Sequence, residues 1–225
     1  MRITGKRRTG TVTLVIAALL FAGATPAQAA EEPQPDEIAL FARGANGEVV
    51  KLDADFVAKT SFDLHTAPSD GQVTLQLINW DQWFGCFSLN NETDVFATYA
   101  FPWNGSVQLV RLKCGTDSYG YKHIRAKHES QWQAQLDGAR AHGWNSQAFG
   151  VESWDDLMSA VTGAIITYPD YYQAYPLNNK RCSNTEFYLQ NLSTGAIVYS
   201  FRAIASWASD SDRLITSYPT TSLVC

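Results

Sequence analysis

Two short segments of the chain concentrate side chains that can move protons and hold negative charge. The first is Tyr119-Gly120-Tyr121-Lys122-His123-Ile124-Arg125-Ala126-Lys127-His128, which packs two imidazoles and three cations into ten residues. The second is Arg213-Leu214-Ile215-Thr216-Ser217-Tyr218-Pro219. If that second segment is a strand, Thr216 and Tyr218 are two apart and emerge on one face.

Such a set suits acid–base work on a phosphodiester. Cleavage of RNA by its own 2′-hydroxyl needs a base to take that proton and an acid to protonate the departing 5′-oxygen. Imidazole can serve both roles, because its ordinary pKa is about 6.5. Lys, Arg, Tyr and Thr donors aimed at the phosphate oxygens stabilise the charge that builds there, and no metal is required. Zinc is the competing use of His123 and His128. On a regular helix five residues turn through about 500°, which leaves the two side chains about 140° apart. The metal pair of a His-Glu-x-x-His motif is four apart, on one side. The same residues also have a plain structural reading. His128 lies between Ile124 and Trp132 on an apolar stripe, Lys122, Arg125 and Lys127 form a solvated face, and Thr216 and Tyr218 are good strand formers.

The elements that must position these residues can be read around them. His123 to about Ala141 has Ile124, His128, Trp132 and Leu136 near one face, which predicts a helix ended by Gly143. Ser153 followed by Trp154-Asp155-Asp156 predicts a second helix, capped by Ser153 and running to about Gly163. Strands are expected at Ala164–Tyr168, Glu186–Asn191, Ile197–Ala203 and Arg213–Tyr218, with a hairpin loop over Asn191-Leu192-Ser193-Thr194-Gly195. Before Cys114 the pattern from Ile38 to about Lys113 is mostly strand-like. It includes Val73–Leu77 and a hairpin of Val95–Tyr99 with Val107–Val110 across Pro102-Trp103-Asn104-Gly105. His65, in this half, reads as a surface loop residue. The layout is α+β: an antiparallel β-rich N-terminal unit, then helices packed on an antiparallel sheet.

The first thirty residues have the order of a secretory signal peptide: Arg2, Lys6, Arg7 and Arg8, an apolar run from Val12 to Ala22, then Ala27-Gln28-Ala29. That run is shorter than the roughly 20 residues a membrane span needs. Residues 31–37 read as a solvated lead-in. The organisation expected is therefore a signal peptide over 1–30, a β-rich unit over 31–113 and a second domain over 114–225, in an extracellular protein that has no membrane segment after cleavage. Cys86, Cys114, Cys182 and Cys225 all lie beyond the leader, an even number in an oxidising compartment. Three pairings exist. Cys86–Cys114 with Cys182–Cys225 is favoured because each bond then staples one half, contributing roughly 3–4 kcal/mol on the chain-entropy estimate. The net charge of −5 argues against nonspecific coating of nucleic acid but leaves room for a local phosphate site.

Tyr-Gly-Tyr-Lys-His-Ile-x-x-Lys-His, followed about ninety residues later by Ile-Thr-Ser-Tyr-Pro, resembles the toxin nucleases of the barnase–EndoU–colicin–RelE (BECR) superfamily. The closest likeness is to their metal-independent RNase domains. The resemblance covers about residues 115–225. It implies a BECR-like nuclease domain with His123, His128 and Lys127 in the histidine segment and Thr216 and Tyr218 on the C-terminal strand. Arg202 is the candidate for a further phosphate contact. It also implies a secreted endoribonuclease without cofactor or metal, acting as a monomer on RNA (tRNA among the candidates), with an immunity protein as partner if it is an antibacterial toxin. The alternative from another class is a noncatalytic secreted binding protein that engages glycan or protein through Trp80, Trp83 and Trp103.

Overall fold

Two long strands after Lys180 form the centre of the sheet that carries the second segment. β6 (Lys180–Asn191) and β7 (Ile197–Ala208) pair antiparallel along nearly their whole length. The loop between them turns at Gly195, and the Asn191 side chain accepts from the backbone N–H groups of Ser193 and Thr194. The computed structural model describes residues 37–53, 55–56 and 77–225. The leader, residues 31–36, His65 and residues 73–76 of the strand expected at Val73–Leu77 lie outside them. β8 (Leu214–Thr220) pairs with β7. The other edge of β6 is shared by β5 (Tyr171–Tyr175), against residues 180–184, and β1 (Ile38–Arg43), against residues 186–191. β2 (Val49–Lys51) pairs with β1, giving the order β2-β1-β6-β7-β8 with β5 beside β6. Phe187, Leu189, Ala203, Ala205 and Trp207 alternate onto the core face, as strand geometry requires.

Three α-helices lie among the described residues: α1 (Trp80–Phe87), α2 (Gly120–Ala141) and α3 (Trp154–Thr167). Between α1 and α2 runs a hairpin of β3 (Val95–Trp103) and β4 (Ser106–Lys113). Its turn residues, Asn104 and Gly105, both have positive φ, the conformation for which Asn-Gly is preferred. α3 lies between this hairpin and the main sheet. The Ser159 hydroxyl meets the Tyr99 hydroxyl of β3 at 2.9 Å, and Thr162 Oγ1 donates to Ser217 Oγ of β8 at 2.7 Å. Every residue from Asp156 to Ile166 is buried. Leu157, Met158, Ile165 and Ile166 are fully enclosed, each worth about 1.5–3 kcal/mol of apolar burial. The mixed α+β class, with helices packed on antiparallel sheet, is what the sequence predicts.

Several elements differ from the sequence reading. Trp80–Phe87 is a helix, not part of a strand-rich run. Asn79 Oδ1 accepts from Gln82 N while Gln82 Oε1 accepts from Asn79 N, a capping box that overrides the local strand preference. The strand expected at Ala164–Tyr168 is the last turn of α3. Gly163 does not end that helix, because Ala164, Ile165 and Ile166 are held in the core, and Pro169 stops it instead. β5 was not expected at all. Across the boundary expected at 113/114, β1 is hydrogen-bonded into the same sheet as β6.

The disulfides are Cys86–Cys114 and Cys182–Cys225, the favoured pairing. The first ties α1 to the residue after β4. The second fastens the C-terminal tail to β6, where Asn184 Nδ2 donates to the Ser222 carbonyl at 2.9 Å. No described helix is long and apolar enough to cross a membrane.

Candidate active site

The chain doubles back between Cys114 and Gly120 before it launches α2. Gly115 and Gly120 have φ of 70° and 75°, and Thr116 N donates to the Tyr119 carbonyl at 2.9 Å. A Cβ on Gly115 would run into that carbonyl, and one on Gly120 would sit 2.6 Å from the Lys113 carbonyl. Both positions require glycine for space as well as for φ. From this start, Ile124, Trp132, Leu136 and Ala139 turn into the core. His123 and His128 remain half-buried.

Three contacts lay α2 alongside β8. The Arg213 guanidinium stands 4.7 Å over the Tyr119 ring, His128 stacks on Tyr218 at 4.7 Å with planes 19° apart, and Trp132 Nε1 donates to the Ser217 carbonyl at 3.1 Å. Helix and strand therefore run in the same sense, and His123, between the first two contacts, falls alongside the Leu214–Ser217 stretch. The two imidazoles are 5.8 Å apart, edge to face. The angular separation of an ideal helix does not keep them apart, because the rings lean toward each other from their backbones.

Their hydrogen bonds fix which nitrogen is free. His123 Nδ1 lies 2.7 Å from the Asp117 carbonyl, which can only accept, so Nδ1 carries the proton and Nε2 is left for chemistry. His128 Nδ1 donates to Gln131 Oε1 at 2.8 Å, with the same consequence. Partial burial pushes the His128 pKa below the ordinary imidazole value. The Gln131 bond opposes that shift, while the charges of His123 and Lys127 add to it. His128 is thus neutral at neutral pH, the form a general base needs.

The remaining sequence candidates divide. Tyr218 is in direct contact with His128. Thr216, half-buried, shares its side of β8, while Ser217 between them points into the core, and Thr216 Oγ1 is buried with no hydrogen-bond partner. Lys127 is exposed and acts on His128 through its charge. Arg202 is engaged elsewhere: it pairs with Asp170 at 2.5 Å and donates to Asn184 Oδ1 at 3.0 Å. It lies opposite Thr220, two pairs along from Tyr218. Lys122 and Arg125 turn toward α1, each over the Phe87 ring, and Lys122 also donates to Asn90. Tyr121 is structural. Burial, then the neighbouring Asp155 carboxylate that accepts its hydroxyl, drives its pKa far up.

Sequence reasoning missed Gln131 and Asp117, which orient the imidazoles, and named Arg213 only as the head of the second segment. Gln131 was legible as a partner three residues after His128. The Asp117 carbonyl had no signal, since any residue supplies one. Among the described residues, no three of His, Cys, Asp and Glu converge as a metal site would need.

No protein-family model matches the chain, and no solved structure matches it. Over 110 residues it is 32% identical to two uncharacterised proteins of Mycobacterium tuberculosis, one from strain H37Rv and one from strain CDC 1551. The match takes in 49% of this chain and 36% of each relative, so the chain spans about a third of the length of the curated relatives it matches.

Proposed function

We propose that the chain is a secreted, metal-independent endoribonuclease of BECR type. What supports the reading is the meeting of His123, His128 and Tyr218 at the α2–β8 seam, with both imidazoles presenting Nε2. His128, neutral because of its burial, takes the proton of the 2′-hydroxyl, and that oxygen attacks the adjacent phosphorus. His123 gives an Nε2 proton to the departing 5′-oxygen. The products are a 2′,3′-cyclic phosphate and a free 5′-hydroxyl. Tyr218 donates to the phosphate oxygens, Lys127 and Arg213 supply positive charge, and Thr216, its hydroxyl buried, backs the strand beneath them. Arg213 fills this role rather than Arg202, whose guanidinium is committed to Asp170 and Asn184.

The two disulfides are compatible with an oxidising compartment, and with the leader they support secretion. An antibacterial toxin acting as a monomer on RNA, tRNA included, and matched by an immunity protein, is the biological form of this proposal. The test is cleavage of labelled RNA in EDTA, with the ends identified. Cyclic phosphate ends that disappear in a His123→Ala, His128→Ala double variant are expected. Activity that vanishes with chelator, or survives the double substitution, sinks the mechanism.

One observation favours a noncatalytic binding role instead. Trp80 is 71% exposed, stacked on Trp83 at 5.4 Å, an open aromatic face on α1. A glycan-array signal lost in Trp80→Ala, with no nuclease activity, is the outcome that reading expects.

A further inference from the structure

A concave feature lies away from the imidazoles, between the β3–β4 hairpin and the loop joining β7 to β8. It is a groove of about 470 Å³, and Trp103, Val107, Gln108, Arg111, Arg181 and Asp212 are among its walls. Gln108 latches the two sides together: its Nε2 donates to the Ser211 carbonyl at 3.2 Å, and its Oε1 accepts from Arg181. The Arg181 guanidinium lies 4.9 Å from the Trp103 ring centre and 5.5 Å from that of Phe101. Among the described residues it has no carboxylate partner. Trp103 keeps 36% of its surface open.

A backbone bridge links the groove wall to the seam. Arg111, in its wall, forms a backbone bridge with Arg213, and Arg213 covers Tyr119 at the start of α2. Arg111, Arg181, Asp210 and Asp212 line the groove, Lys113 joins Arg111 on Asp212, and Arg213 is bridged to Arg111: four cations and two carboxylates, in a chain whose net charge is −5. Asp212 is shared by Arg111 and Lys113. Its partial burial works to raise its pKa, but the hydrogen bonds from Lys113 and Arg111 outweigh that and hold it below the usual carboxylate range. Asp212 therefore stays ionised and cancels only one of those two charges.

We propose that this groove is a subsite for single-stranded RNA flanking the cleaved bond. A base stacks on the open Trp103 and Arg181 surface, and the chain's phosphates follow Arg181 and Arg213 toward the imidazoles. Base stacking on aromatic and guanidinium planes beside a line of cations is how single strands are held without sequence reading. A neutral glycan would use the tryptophan but not the surplus positive charge. The groove's role as a flank rests on the nuclease reading; its affinity for a single strand does not.

The test uses the full disulfide-bonded protein and fluorescein-labelled 2′-O-methyl oligonucleotides, which bind but lack the reacting hydroxyl. Anisotropy is expected to show a hexanucleotide binding about five- to ten-fold tighter than a dinucleotide. Val107→Glu, at a 62% exposed position that the fold does not need buried, removes that gain by placing an anion in the groove. Arg181→Gln lowers the salt dependence of binding by about one phosphate contact. Hexanucleotide binding equal to wild type in both variants overturns the proposal, as does competition by neutral oligosaccharide but not by RNA. The His123→Ala, His128→Ala variant keeps the length-dependent gain. If wild type cleaves nothing yet shows a gain sensitive to Val107→Glu, the nuclease reading fails and the strand-binding groove stands. If it cleaves and the gain ignores the groove variants, the groove alone fails.

Discussion

His128 stands where three influences on one proton can be separated. Burial and the nearby charges of His123 and Lys127 disfavour its imidazolium, while the bond to Gln131 favours it. The acid limb of a pH–rate profile for RNA cleavage should therefore fall below the ordinary imidazole value of about 6.5. Gln131→Leu should move that limb to still lower pH, and a shift upward would refute the assignment of His128 as base. The same group ties stability to pH. The unfolded chain binds this proton more readily than the folded one, so stability falls as pH drops through about 6.5. A urea titration of His128→Gln should show a flatter dependence in that window. Tyr218→Phe keeps the ring stack and removes only the hydroxyl. Loss of one such donor should lower kcat by about 10²-fold with an unchanged melting temperature. A variant at full rate would show that the hydroxyl is no donor.

At the scale of elements, α2 and α3 depend on how they begin. Ser153 Oγ donates to Asp156 Oδ2 at 2.6 Å, and that carboxylate also accepts from the backbone of Leu77, Glu152 and Ser153. Ser153→Ala should cost about 1 kcal/mol, read as a lower urea midpoint with an unchanged slope. Gly120→Ala should cost more, since it meets both an unfavourable φ and the Lys113 carbonyl, and it should also depress cleavage by displacing His123. Legibility follows the same lines. The Ser153 cap, the Asn104-Gly105 turn and the apolar stripe of α2 are local signals, and the structure carries all three. Thr216 and Tyr218 share a side of β8 because residues two apart on a strand must. The extra turn of α3 beyond Gly163 and the existence of β5 depend on what packs against them, and nothing nearby in sequence encodes that. The strand position of Arg202 is visible in its neighbours; Asp170, which occupies it, is thirty-two residues away.

For the molecule as a whole, the two disulfides differ in what they hold. Cys86–Cys114 closes a separation of 28 residues and ends one residue before the turn that starts α2, whereas Cys182–Cys225 closes 43 and anchors the tail. The chain-entropy estimate gives similar values for both, about 4 kcal/mol. A Cys86→Ser, Cys114→Ser variant should therefore lose stability comparably to Cys182→Ser, Cys225→Ser, yet lose far more cleavage. Paired melting curves and rates of the two double variants check this, and equal residual rates would separate the Cys86 bond from the site.

The Trp132 indole, bonded to the Ser217 carbonyl, has a wider effect. β8 is the outermost strand of its sheet, and an uncovered outer strand invites another chain to add to it. The helix that blocks such addition is the one that bears the imidazoles. Heating that peels it away should extinguish turnover and start light scattering at one temperature, so that in Trp132→Phe both onsets arrive earlier and still together.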